Sequence, residues 1–73
     1  MARYFFDLIK NRETAHDYQG REFNAPEQAR RQGELIAIDL QLESDEWAGA
    51  QVSIRDPQGR ELFAIAVPQA GDP

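Results

Sequence analysis

The stretch Arg3-Tyr4-Phe5-Phe6-Asp7-Leu8-Ile9 limits the fold of this chain more than any other. Five of its seven positions are apolar, and it holds three of the seven aromatic residues in the sequence. Its aromatic and β-branched content reads as a strand. Alternation sends Tyr4, Phe6 and Leu8 to one face and Phe5, Asp7 and Ile9 to the other. A strand that is apolar on both faces is expected in the middle of a sheet.

The chain has little material with which to cover such a strand. Its 73 residues make one small domain over 1–73, with a loose tail expected at 69–73. A domain of this size buries roughly 60 % of its unfolded surface, so its core alone is marginal. There is no cysteine, which removes disulfides, zinc ribbons and thiol catalysis. A well-packed helix on a sheet, self-association, or both must supply the stability.

The remaining elements follow in order. Asn11-Arg12-Glu13-Thr14 is a turn, and Ala15 to Tyr18 is a weak return strand that Gln19-Gly20-Arg21 interrupts before Glu22-Phe23 resumes it. Asn24 is the expected N-cap of a helix, with Pro26 in its first turn and Glu27 as the reciprocal residue of a capping box. The helix runs to Glu43 or Ser44. Ala29, Gly33, Ile36, Ala37 and Leu40 form its apolar stripe, which Leu35, Ile38 and Leu42 widen. Gly33 costs about 1 kcal/mol in a helix interior, so a close approach to the sheet is expected there, with Phe6 as the partner. Trp47, in the loop after the helix, is expected to plug one end of the core or to contact a partner.

Ala50 to Arg55 alternates cleanly as an amphipathic strand. Asp56-Pro57-Gln58-Gly59 is a turn, with Pro57 presetting φ and Gly59 left-handed. Arg60 to Val67 returns as a strand apolar on both faces, and Pro68 ends it.

The resulting order is ββαββ, an α+β fold with one helix on one face of a four-stranded sheet. Placing the two doubly apolar strands side by side gives the spatial order 2-1-4-3, as in a β-grasp, with an all-antiparallel 2-1-3-4 as the alternative. Either way a single helix covers a single face. Phe5, Ile9, Leu62, Ala64 and Ala66 then lie on the uncovered side, and together with Trp47 they are the candidate interface residues.

Several functions are disfavoured. The net charge of −5 repels phosphate backbones, so nucleic acid is an unlikely partner. Arg30 and Arg31 are adjacent on the helix, but Glu27, Glu34 and Asp39 dilute their field. No apolar run approaches the ~20 residues of a membrane span. No secretory leader is visible, and a cytoplasmic location is expected. Ser44 and Ser53 stand far from His16, the only histidine, and nothing resembles a nucleophile elbow, so no catalytic residue is assigned and no enzyme is expected. Glu13, His16, Asp17 and Glu22 are the residues that would have to converge on a metal. As carboxylates in a polar loop they are read as solvated, with Asp17 accepting from turn amides near Gly20. Neither a metal nor a cofactor is expected.

Taken together, Arg3-Tyr4-Phe5-Phe6 with Leu8, Asp17-Tyr18-Gln19-Gly20 with Glu22, an Ala-rich helix and Asp56-Pro57-Gln58-Gly59-Arg60 resemble a family of short bacterial domains of unknown function. That family is common as small paralogues in nitrogen-fixing soil bacteria. The resemblance covers nearly the whole chain. It implies a single domain and carries no activity or catalytic residues with it. The expectation from the sequence is a protein-interaction or self-associating accessory module, with a small-ligand or nucleic-acid binding domain using the open sheet face as the alternative. The alternative requires Arg3, Asp7, Gln51, Ser53 and Arg55 to be presented together.

Overall fold

The structure, a computed structural model, describes residues 1–43 and 45–68. The expected tail at 69–73, and Ser44 as a helix end, lie outside the described residues. The elements are β1 (Ala2–Lys10), β2 (Glu13–Ala15), β3 (Arg21–Phe23), α1 (Pro26–Glu43), a 3₁₀ turn (Asp45–Trp47), β4 (Gln51–Arg55) and β5 (Glu61–Ala66). The fold is α+β, an open antiparallel sheet with one helix packed against it.

β1 is central, as its two apolar faces demand. One of its edges pairs with β4, through Phe5↔Arg55, Asp7↔Ser53 and Ile9↔Gln51. Its other edge pairs with β2 and β3 in succession, and β4 pairs in turn with β5. The order is therefore the antiparallel alternative 2-1-3-4, counting β2 and β3 as one broken strand, and not 2-1-4-3. The reason lies in β4. Its alternation, which reads as a half-exposed strand, is satisfied from within, because Ser53 and Arg55 meet polar partners on neighbouring strands. β4 is thus buried on both faces, with Val52 and Ile54 fully enclosed, and the apolar β5 is left at the edge.

The broken strand has a clear anatomy. The first turn is tighter than expected, only Asn11 and Arg12, because β2 begins at Glu13 opposite Lys10. Asn11 takes a left-handed φ of 56°, which asparagine tolerates better than most residues. Pairing then runs Leu8↔Ala15 and resumes at Tyr4↔Arg21, so the three residues 5–7 of β1 face the five residues 16–20. Across this gap a side chain replaces the missing backbone partner. The amide of Phe6 donates to Asp17 Oδ2 at 3.2 Å. Gly20, at φ 68°, lies so close to β1 that a Cβ there would fall 2.8 Å from the Tyr4 carbonyl oxygen.

α1 starts at Pro26, whose missing N–H has no helical acceptor in any case. The reciprocal bond at this end comes from Gln28, not Glu27, since the Asn24 amide donates to Gln28 Oε1 at 2.8 Å. Ala29, Gly33, Ala37 and Leu40 are the buried residues of the helix. Three of these four are small, which lets the helix settle closely on β4. A Cβ on Gly33 would lie 2.5 Å from Ile54 Cδ1 and 2.9 Å from Ile65 Cδ1. The close approach expected at Gly33 is real, but it is to two isoleucines and not to Phe6. Phe6 stacks instead on Phe23, edge-on at 6.0 Å.

One expectation about the helix is overturned. Leu35, Ile38 and Leu42 do not widen the buried stripe. They are 55 %, 45 % and 77 % exposed. At 3.6 residues per turn these positions lie opposite Ala29, Gly33, Ala37 and Leu40. A helix lying on a flat sheet buries only the arc it rests on, and the sheet does not wrap around to reach the far side.

Candidate functional site

The face of the sheet away from the helix is the candidate site. Alternation along β1, β4 and β5 places Phe5, Asp7 and Ile9 beside Gln51, Ser53 and Arg55, and these beside Leu62, Ala64 and Ala66. The two sets of residues that the sequence presents as alternatives are thus on one face. Phe5 and Ile9 are half-buried, while Leu62, Ala64 and Ala66 form an exposed strip along the edge strand. Trp47 is not part of this face. It is half-buried against the core, beside Leu8 and Lys10 at one end of the sheet, and its carbonyl accepts from the Ala50 amide. That is the position of a plug.

The centre of the face is a connected polar cluster built around Asp7, which is only 3 % exposed. Arg55 Nε donates to Asp7 Oδ2 at 2.7 Å and Arg55 Nη2 lies 3.4 Å from Oδ1. His16 Nδ1 is 3.2 Å from Oδ2, and the Asp17 amide donates to Oδ1 at 3.0 Å. The Arg55 guanidinium also lies over the Phe5 ring, 5.6 Å from its centre, a cation–π arrangement. On the next strand the Ser53 hydroxyl donates to Glu61 Oε1 at 2.9 Å. A lone carboxylate in an apolar strand is costly without partners, and here it has four. Among the described residues no buried side-chain polar atom lacks a hydrogen bond.

Two further aspartates organise loops at this face. Asp17 Oδ1 accepts from the amides of Gln19 and Gly20, both at 3.0 Å, in agreement with the turn expected near Gly20. Asp56 Oδ1 accepts from the amides of Gln58 and Arg60, and Asp56 Oδ2 from Arg60 Nε, all at 2.9 Å. The Asp56 network escaped the sequence reading, although an aspartate opening a Pro-Gln-Gly turn is the usual signal for it.

All three carboxyls are held below the ordinary aspartate value. For Asp7, burial by itself would raise the pKa, but the Asp17 amide and the Arg55 and His16 contacts outweigh it. For Asp17, burial is outweighed by the amides of Gly20, Phe6 and Gln19. For Asp56, burial is outweighed by the amide and guanidinium of Arg60 and the amide of Gln58. A lowered folded pKa stabilises the fold above the unfolded value, near ~3.9, and that stabilisation is lost as pH falls through the folded values. We therefore expect a thermal midpoint, followed by circular dichroism, that is insensitive to these groups from neutral pH down to about 5 and falls steeply below about 4. Asp17→Asn should make that fall shallower. A midpoint unchanged down to pH ~3 would contradict the assignment.

The arrangement does not assemble the candidate metal set. Glu13 pairs opposite Lys10 and Glu22 opposite Arg3, at opposite ends of β1. Seven residue steps of strand separate Arg3 from Lys10, about 23 Å at ~3.3 Å per step. Among the described residues no group of three or more His, Asp or Glu side chains is placed to hold a metal. The arginines expected on the sheet are individually paired: Arg55 with Asp7, Arg60 with Asp56, and Arg3 with Glu22 at 3.9 Å. On the helix Arg30 lies 3.9 Å from Glu34. None of the described helices is long and apolar enough to cross a membrane.

A five-stranded antiparallel sheet, one helix across one face and a self-satisfied polar cluster on the other define a small open-faced α+β domain. The chain belongs to the domain of unknown function family DUF6894, whose model matches residues 3–68. No curated protein and no solved structure matches the chain.

Proposed function

We propose that this domain is a non-enzymatic protein-interaction module that takes up an extended segment of another protein along β5. The observation that carries the reading is the state of that strand. β5 ends the sheet, with β4 as its one paired neighbour among the described residues. It runs Glu-Leu-Phe-Ala-Ile-Ala, with Leu62, Ala64 and Ala66 exposed. Glu61 is its one charge, at the first position and turned to Ser53, and an edge strand uncharged over the five residues that follow is a template for strand addition, which supplies affinity through the backbone and specificity through alternate side chains. The cluster around Asp7 supports the same reading from the other direction. Its polar groups are bonded to one another, so the centre of the open face offers little to a polar ligand or a nucleic acid. An acidic, cysteine-free composition fits a cytoplasmic location, which belongs to the same proposal.

Selection from a displayed library of random linear peptides tests this. We expect enrichment of sequences that alternate β-branched and polar residues. We expect Ala64→Lys and Ala66→Lys, which place a charge on the exposed strip without touching the core, to abolish it while leaving the melting curve intact. No enrichment, or enrichment unaffected by both lysines, would refute strand addition.

A further inference from the structure

The outer face of α1 carries a second apolar surface, on the opposite side of the molecule from the open sheet face. Arg31, Leu35, Ile38 and Leu42 follow one another at spacings of four, three and four, which places them in a single line along the helix. The three aliphatic members are among the most exposed large hydrophobic residues of the domain. We propose that a second copy of this chain covers this ridge, its helix packed antiparallel to the first about a two-fold axis that crosses the ridge between Leu35 and Ile38.

The charges flanking the ridge select this occupant and this orientation. In the antiparallel arrangement Leu35 meets Ile38 of the other copy, and the stem of Arg31 covers Leu42 there. The Arg31 guanidinium then reaches the end of the partner helix, where Glu43 is exposed. Glu34 faces Gln41 on one flank and Asp39 faces Gln32 on the other, so each carboxylate meets an amide that can donate to it. In a parallel arrangement Glu34 would instead face Asp39, and Arg31 would face Arg31, which places like charges together twice. The ridge is therefore complementary to itself only when reversed, as an isologous interface requires. Its basic end and its acidic end exchange places across the axis. This inference does not rest on strand addition at β5, because the two surfaces lie on opposite sides of the domain.

Sedimentation velocity over a wide concentration range tests the proposal on the intact chain. We expect the mass to rise from 8.3 kDa toward twice that value with concentration. Leu35→Glu and Ile38→Glu should abolish the rise, and because both positions are exposed their melting curves should stay close to the parent. Arg31→Glu should also abolish it, by setting two carboxylates against each other, and Arg31→Glu combined with Glu43→Arg should restore it. A chain that stays monomeric throughout overturns the proposal. So does a dimer that survives Leu35→Glu, or one that is lost in Ala64→Lys, which would place the contact on β5.

Discussion

Replacing Asp7 with alanine should cost this domain about 3 kcal/mol, a large part of the roughly 4–11 kcal/mol that holds a chain of this length together. The carboxylate is almost fully enclosed, and four groups depend on it: both ends of the Arg55 guanidinium, the His16 ring and the Asp17 amide. Alanine leaves a guanidinium and a backbone amide facing a space too apolar to satisfy them. The Arg55 side chain is 30 % exposed and can partly recover its hydration, which keeps the figure at the lower end of what a broken buried pair costs. The damage should also spread along the chain. Asp17 is held by Asp7 and in turn supports Phe6, Gln19 and Gly20, so residues 16–20 should lose protection from hydrogen exchange in the variant before the rest of the sheet does. Asp7→Asn keeps one acceptor oxygen but removes the charge and turns the other oxygen into an NH2 donor that faces donors; because one acceptor survives, its loss should still be smaller. Urea titration of the two variants measures both. A loss under about 1 kcal/mol for Asp7→Ala would show that the cluster is not a structural support.

The second large effect is expected at Gly33. Leucine at this position must push into Ile54 and Ile65, which leave no room for even a methyl group. Ile54 is itself fully enclosed. Overpacking of this kind typically costs about 1–3 kcal/mol and sometimes more, and with two side chains displaced we expect at least ~3 kcal/mol. Gly33→Ala is the finer measurement. Alanine gains about 1 kcal/mol of helix propensity, and the contact with Ile54 Cδ1 opposes it. We expect the contact to win, for a net loss of about 1 kcal/mol. Ile54→Val removes the nearer of the two opposing methyl groups, so the double variant should be more stable than the sum of the two single changes by about 1 kcal/mol. If Gly33→Ala stabilises the domain, the helix has slack above β4 and the close packing is not binding.

Much of this architecture is legible in the residues. The double-faced apolarity of β1, the helix opened by Pro26 and the turn at Asp56-Pro57-Gln58-Gly59 are local signals, set by sterics and by side chains acting on their own backbone. Strand order is not local. β4 alternates like a half-exposed strand because its polar side chains are matched across the sheet by Asp7 and Glu61, and no feature within residues 51–55 reveals those partners. β5, apolar on both faces, reads as central and lies at the edge. The direction of Leu35, Ile38 and Leu42 is likewise hidden, since a helix with leucines and isoleucines on both sides presents two candidate stripes. The pattern of small residues decides between them. Ala29, Gly33 and Ala37 can approach a sheet closely, and the bulkier line cannot. At the open face, the apolar residues are readable from alternation. The polar cluster among them is not, because Asp7 and Arg55 are 48 residues apart in sequence.

The interruption between β2 and β3 has a consequence for assembly. A sheet that accepts strands at both edges is a unit that can polymerise. Here one edge is broken by five residues facing three, with an aspartate side chain in place of a continuous backbone ladder. That edge has no straight row of donors and acceptors to offer an incoming strand. Growth by strand addition therefore has one direction and one step: a segment joined to β5 ends the series. An exposed apolar edge at β5 can thus sit beside a broken one without the domain becoming the repeating unit of a fibre.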